Sequence, residues 1–289
     1  MEWSRAKSIV IIFLVILNVM LSAILLIERE RDTLSAQQER NIVEVLYANN
    51  IVINAPLIRR TPPVRMLELS PGVIDDELMM QVFLGTVDAV RSDEGGNIRS
   101  HYYEGSRIII YANQVIFESG AFEEFKEIDF DIAKRMSDDF LAGLGDMGRG
   151  FVLDVGPYSS GNEIIVEYRQ RIEGVVIYNN YFLFAIDNYG IRRVEYSQSM
   201  PVGFSSSLNE ICLMDEALFS FLRAMRMESI DRPRRVIEKI DIVYFMDFAN
   251  AEQGMAYPYF RIYYREFRPD GSYVMRLRMI NAYFGTWRF

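Results

Sequence analysis

Gly161-Asn-Glu-Ile-Ile-Val-Glu-Tyr-Arg-Gln-Arg-Ile-Glu-Gly-Val-Val-Ile-Tyr-Asn-Asn-Tyr-Phe-Leu-Phe-Ala-Ile-Asp-Asn-Tyr-Gly-Ile-Arg-Arg-Val-Glu-Tyr-Ser197 carries the clearest structural grammar in the chain. Asn162 to Gln170 has the β-branched and aromatic character of a strand, and Gly174 breaks it. Val175 to Asn179 reads as a strand again, Tyr181 to Asp187 continues after Asn179-Asn180, and Asn188-Tyr-Gly190 turns the chain into Ile191 to Ser197. Short strands joined by tight turns form an antiparallel meander.

Downstream, Asp215 to Met225 predicts a helix, because Leu218, Phe221, Leu222 and Met225 recur at i, i+3, i+4 and i+7 and make one apolar stripe for a sheet face. Strands follow at Ile240 to Phe248, Tyr259 to Phe267 and Ser272 to Ala282. The last two are joined through Arg268-Pro-Asp-Gly271, where proline and glycine suit a tight turn. Runs of strands with few helices between them favour an α+β fold, with antiparallel sheets and helices packed on one face, over a doubly wound parallel one.

Upstream, Ser35 to about Asn49 predicts a helix with Ile42, Val45 and Leu46 on one stripe. Asn54 to Pro63 cannot sustain a helix, because each proline removes a donor and constrains its predecessor. Asp75 to Leu84 predicts a short helix whose acidic start, Asp75-Asp76, matches the N-terminal cap and dipole. Tyr102 to Phe117 reads as a strand pair with Gly105 and Ala112-Asn113-Gln114 as turns. Ile128 to Leu141 is helical in spacing at Ile132, Met136 and Phe140. The glycines from Gly143 to Gly150 then suggest a boundary between subdomains 33–148 and 150–289.

The other end of the chain differs in kind. An unbroken apolar run from about Ile9 to Ile27 follows Met1-Glu-Trp-Ser-Arg-Ala-Lys7 and precedes Glu28-Arg-Glu-Arg-Asp32. Some nineteen helical residues reach about 28 Å, close to the hydrocarbon thickness of a bilayer. Residues 8–27 are therefore expected to form a single retained membrane helix, since a cleaved signal peptide would have a shorter apolar region and a small-x-small site. Arg5, Lys7 and the terminal amine favour a cytoplasmic residue 1–7 segment, with everything beyond residue 32 outside, and place Trp3, Arg5 and Lys7 at the membrane interface. Asn18 lies at the centre of the span. A carboxamide there is costly unless hydrogen-bonded, so Asn18, with Ser22 one turn on and Ala23 beside it, is expected to meet another membrane helix.

Of the 289 residues 50% are hydrophobic and 13% aromatic, enough for a real core. A formal charge of −9 argues against nucleic acid as a partner. The lone Cys212 makes no internal disulfide, and its apolar neighbours mark a buried, inert thiol. One His and one Cys exclude the usual zinc cage, and Asp154, Glu163 and Glu167 show no calcium-loop spacing. His101, beside Tyr102-Tyr103, reads as a strand residue at a rim. The literal Gly143-x-Gly145-x-x-Gly148 has a helix before it rather than a strand, against a dinucleotide site. No Gly-x-Ser-x-Gly elbow surrounds Ser159-Ser160 or Ser205-Ser206-Ser207. Paired carboxylates stay open, since forty acidic residues offer many pairs. No catalytic residue, metal or cofactor is expected.

The opening Met1-Glu-Trp-Ser-Arg-Ala-Lys7 directly before one span resembles the start of the YycI (WalI) family. Tyr168-Arg-Gln170, Gly174-Val-Val-Ile-Tyr-Asn179, Tyr181-Phe-Leu, Asn188-Tyr-Gly190, Tyr259-Phe-Arg-Ile and Ile280-Asn-Ala-Tyr-Phe-Gly285 resemble that family too and, more loosely, PepSY-type modules. Residues 35–150 carry little of such a match. The resemblance implies a membrane-anchored, non-enzymatic accessory protein of a Gram-positive two-component system. Such a protein works with a YycH companion on a YycG/WalK-type sensor histidine kinase and contacts it through the membrane helix. The alternative is a tethered PepSY-type module that binds or restrains an extracytoplasmic protease or cell-wall hydrolase, and a third class is a wall-active enzyme.

Overall fold

The structure, a computed structural model, describes the chain except for residues 1, 32, 62, 94–97, 121–127, 229–231, 248–253, 284–285 and 288–289. In chain order it forms α1 (Glu2–Arg31), α2 (Ala36–Tyr47), β1 (Ile51–Ile53), β2 (Leu67–Pro71), α3 (Asp76–Leu84), β3 (Val90–Asp93), β4 (Ile98–Tyr103), β5 (Ser106–Tyr111), β6 (Gln114–Glu118) and α4 (Phe130–Gly143). After a short 3₁₀ turn (Gly145–Gly148) come β7 (Phe151–Ser160), β8 (Glu163–Ile172), β9 (Val175–Asp187), β10 (Gly190–Ser197), β11 (Ser199–Phe204), α5 (Met214–Glu228), β12 (Arg235–Phe245), β13 (Met255–Phe267), β14 (Tyr273–Asn281) and β15 (Thr286–Trp287). The chain divides into two compact units, residues 1–64, 208–241 and 258–289 in the first and residues 65–207 and 242–257 in the second.

The second unit is built on the strand order β7-β8-β9-β10-β6-β5-β4-β3, antiparallel throughout. Glu173 and Gly174 close the β8–β9 hairpin, with Ile172 opposite Val175 and positive φ at both turn residues (48° and 83°). That is the mirror-image turn that matches strand twist, and glycine takes the second position without strain. Alternation does the rest. Phe182, Phe184 and Ile186 of β9, Val194 and Tyr196 of β10, and Val166 and Tyr168 of β8 all point to one face. Met79, Met80 and Phe83 from α3 and Ala133 and Leu141 from α4 cover that same face. Phe182 packs edge-on against Phe151 at 4.8 Å and stacks on Tyr196 at 4.6 Å, while Phe140 meets Phe184 at 5.4 Å. Truncating a ring in such a core costs about 3–5 kcal/mol. A second cluster is formed by Leu67, Leu69, Ile177, Tyr244 and Ala256. There β2 pairs with β11 and with the start of β13, and the end of β12 runs parallel to β9 at Val243–Val176 and Tyr244–Ile177.

Two helices carry aspartate caps, the one at Asp75 as read from sequence. Asp75 accepts from Glu77 N and Leu78 N, and Asp129 accepts from Ile132 N, each satisfying donors that have no partner inside the helix. In α4 the deeply buried positions are Ala133, Ser137 and Leu141, with Met136 and Phe140 packed beside them; Ile132 is not part of this cluster. Small residues let the helix approach, and the large ones wedge in at its sides.

In the first unit α2 opens with a capping box, Gln38 N donating to Ser35 Oγ (3.2 Å) and Ser35 N to Gln38 Oε1 (3.0 Å). Ile42 and Leu46 are buried. α2 packs on α5, where Arg226 donates twice to Asn49 Oδ1, at 3.1 and 2.8 Å. α5 buries Leu218, Phe221, Leu222 and Met225, and Phe221 meets Tyr264 of β13 edge-on at 5.2 Å. β1 pairs parallel with Arg235 to Ile237 of β12, and β13, β14 and β15 are antiparallel. Arg261 on β13 is fully buried and is held in two bonds by Asp241, at 2.9 and 2.6 Å. A buried guanidinium with both ends on one carboxylate is the geometry that offsets its desolvation.

The α+β class with helices on a mainly antiparallel sheet is as read from sequence, and the helices at residues 35–49, 75–84, 128–141 and 215–225 are present. Three readings change. The stretch Tyr102 to Phe117 is part of three strands rather than a pair, because the chain turns at both Gly105 and Asn113. Val175 to Asp187 is one strand, not two. The parallel pairings of β12 with β1 and β9 join segments far apart in sequence and leave no local signal. The glycines from Gly143 to Gly150 lie inside the second unit, at the end of α4 and the turn into β7. Gly148 is required there, since a Cβ would sit 2.4 Å from Leu141 O. Phe248 and Phe284-Gly285 lie outside the described residues.

α1 is one unbroken helix of 30 residues, about 45 Å long. Its side chains are described at Trp3, Lys7 and Val10 to Ser22, all exposed. Among the described residues, no helix is long and apolar enough to cross a membrane.

Candidate functional site

Two places hold polar side chains where the sequence is otherwise apolar, and they are built differently. The first is α1. Trp3 and Lys7 lie one turn apart, with Lys7 Nζ 5.5 Å from the Trp3 ring centre. Arg5 lies between them on the helix, its side chain outside the described set. Asn18 Nδ2 donates to Leu14 O at 2.8 Å, which uses one of the two amide hydrogens inside the helix. At about 100° per residue, Asn18 shares its face with Ser22, Ile11, Leu14 and Leu21. Ile11, Leu14, Asn18 and Leu21 are spaced three, four and three apart, the seam spacing of two packed helices. Ile11, Leu14 and Leu21 are exposed by 60, 49 and 50%. That seam was the signal missed in the sequence. The side chain of Ala23 lies outside the described set.

The second place is the middle of β9. Arg169 pairs with Tyr181, but Gln170 pairs with Ile177, so Tyr178, Asn179 and Asn180 bulge out of the ladder. Their backbone groups lose strand partners, and the two carboxamides act in place of them. Asn179 Nδ2 donates to Met246 O (2.9 Å) and its Oδ1 accepts from Met246 N (2.8 Å). Asn180, fully buried, donates to Ser199 O (2.7 Å) and Gln170 Oε1 (2.6 Å) and accepts from Ser199 N (2.8 Å). Each side chain thus completes the edge of another segment as a backbone amide would. Arg169, 6% exposed, lies 3.9 Å from the Tyr178 ring centre and 5.1 Å from that of Tyr181, donates to Tyr178 O and pairs with Glu167 (3.1 Å) and Asp154 (3.4 Å). Tyr181 is pushed up to about 12 by burial and by Glu195. The phrases Tyr168-Arg-Gln170 and Tyr178-Asn179-Asn180-Tyr181 are the parts of this one bulge.

His101 is not at a rim. It is 3% exposed, because β3 and β5 flank its strand and α3 covers it. Its Nε2 lies 3.3 Å from Asp76 Oδ2, which Arg99 Nε also approaches at 3.0 Å. Asp75 caps α3 and Asp76 anchors this pair, so the two acids divide the work. Cys212 is half-buried, its backbone N donating to Ala282 O at 2.7 Å.

A groove of about 460 Å³ runs along α4, lined by Asp138, Leu141, Gly145, Asp146, Arg149 and Tyr168 among others. Burial would raise the Asp138 pKa, but hydrogen bonds from Lys134 and Tyr168 outweigh it and hold the carboxyl below its ordinary value. Tyr168 is pushed up by burial and by its 2.6 Å bond to Asp138. Gly145 and Gly148 line this groove as parts of a helix end, which is not a phosphate-binding loop. A smaller groove of about 330 Å³ lies between α2 and the 53–59 segment. Among the described residues no group of three or more His, Cys, Asp or Glu is arranged to hold a metal.

No protein-family model and no curated protein matches the chain. Solved structures do. An uncharacterized protein from Eubacterium rectale superposes with a TM-score of 0.53 at 12% identity, covering 83% of this chain and 91% of that one. The YpeB C-terminal domain of Bacillus megaterium has a TM-score of 0.41 at 10% identity over 76% of this chain and 97% of that one. YycH from Bacillus subtilis has 0.47 at 13% identity over 75% of this chain, the match spanning about half (52%) of YycH. The Eubacterium rectale protein alone of these three exceeds 0.5, and at its identity what is shared is the fold.

Proposed function

We propose that this chain is a non-enzymatic, membrane-anchored regulator of a sensor histidine kinase, working with a YycH-type companion and contacting the kinase through α1. In this reading residues 1–7 are cytoplasmic, residues 8–27 cross the membrane and the chain beyond residue 32 lies outside. The observation that carries this reading is α1 itself. A water-soluble fold gains nothing from an unbroken helix that exposes every described side chain from Val10 to Ser22, including eleven apolar ones, but a bilayer and a partner helix do. The Ile11-Leu14-Asn18-Leu21 seam supplies the contact, and Trp3 and Lys7 mark the interface.

The family resemblance of Met1 to Lys7 and of the bulge phrases supplies the partner. A regulator acts only by binding one kinase state better than another, and a coupling of about 1–3 kcal/mol is an ordinary size. The test is to exchange residues 8–27 for an unrelated span and to capture partners from native membranes in mild detergent. Loss of the kinase after the exchange is expected. Retention of every partner, a protease or wall hydrolase among them, would make the helix a tether only.

A further inference from the structure

The segment that leaves α1 is tied at once to a basic loop. α1 ends at Arg31, Leu34 N donates to Arg59 O at 2.7 Å, and Thr33 bridges Arg60 in antiparallel fashion. Two or three extended residues reach about 10 Å, so Arg59 and Arg60 are held within roughly that distance of the end of the helix. Both arginines are exposed, Arg59 by 70% of its side chain, and Leu57 and Ile58 beside them are half-buried. Arg59 pairs with Glu39 at 3.1 Å, an exposed ion pair of small worth that a phosphate can replace. Arg40, also exposed, lies on the first turns of α2.

We propose that the Pro56–Arg60 loop rests on the membrane surface where α1 emerges, with Arg59 and Arg60 on the phosphates of anionic lipid headgroups. This rests on the reading of α1 as a membrane span. The chain carries a net charge of −9, which an anionic surface repels. Charges within a Debye length, about 10 Å at moderate salt, act most strongly on that surface; residues 28–31 carry the end of α1 about 6 Å beyond the span, and backbone bonds hold Arg59 and Arg60 close to that end. A guanidinium also takes phosphate oxygens in two parallel bonds, as an ammonium does not. With α1 as the first attachment, the loop is a second. Two attachments limit how far α2 and β1 can tilt away from the membrane surface.

The full-length chain, with Cys212→Ser and a single nitroxide label, is reconstituted in vesicles of phosphatidylcholine with or without phosphatidylglycerol. Depth is read from relaxation by oxygen against an aqueous nickel chelate. A label at Leu17 reports the span, and a label at Ile58 reports the loop. The expected result is Leu17 in the hydrocarbon and Ile58 at headgroup depth in phosphatidylglycerol vesicles, with R59Q/R60Q releasing the loop to water. Each arginine is expected to change the bound-to-free ratio about fivefold. Leu17 in the hydrocarbon with Ile58 aqueous in both lipids, or at a depth indifferent to R59Q/R60Q, overturns this proposal and leaves the span standing. Leu17 in water overturns both.

Discussion

Asn180 is fully buried in the β9 bulge and spends its carboxamide on Gln170 and Ser199. Asn18 stands on the exposed face of α1 with one amide hydrogen on Leu14 O. The same side chain thus does opposite work. In the bulge every partner is inside the chain, so the residue holds the fold and offers nothing to another molecule. On α1 the local bond leaves part of the group unused, and under the proposed membrane reading it would lessen the cost of an amide in hydrocarbon and leave the residue for recognition. A polar residue in an apolar run is informative only once its partners are known.

The sharpest way to break this contrast is N180L. The substitution leaves Ser199 N and O and the Gln170 carboxamide without their partner in a buried place, and at about 1–3 kcal/mol for each orphaned group the loss should reach about 4 kcal/mol. The urea midpoint of the purified protein in detergent measures it, and a loss under about 1 kcal/mol would make the bulge an ornament. N179A removes a half-buried pair of bonds to Met246 and should cost about 2 kcal/mol by the same measurement. N18L should leave the midpoint unchanged while weakening partner capture by about threefold to thirtyfold, the equivalent of about 0.6–2 kcal/mol.

The smallest effect concerns acid. Asp138 has its native pKa depressed by Lys134 and Tyr168, so its contribution is fully present above the unfolded value near pH 4 and is lost as pH falls through the lower native one. Because 40% of the carboxylate side chain is exposed, solvent screens much of it. D138N should flatten the urea midpoint between about pH 5 and pH 2. An unchanged profile there would mean that the Tyr168 bond carries no charge dependence.

What could be read in the chain was what acts locally. The cap at Asp75, the stripe of α5 and the alternation of β8 to β10 each depend on residues a few positions apart or on one hairpin. The bulge was hidden because Asn179-Asn180 is also a turn dipeptide, and only the distant partners Met246 and Ser199 keep it extended. The burial of His101 was hidden for the same reason, since α3 and β3 cover a residue whose neighbours in sequence are half-exposed tyrosines. On α1 the carboxamide at residue 18 drew notice, and the three-four-three seam through Ile11, Leu14 and Leu21 needed the helix to be laid out.

The most direct measurement is a photo-crosslinking scan of α1 in native membranes, with a photoreactive residue placed singly at Ile11, Leu14, Ile16, Met20 and Leu21. Ile16 and Met20 lie about 160° from Asn18 on the helix. Adducts to a sensor kinase from Ile11, Leu14 and Leu21, and none from Ile16 or Met20, are the predicted result. Adducts to the kinase from every position alike, or from none, would contradict recognition through the Asn18 face.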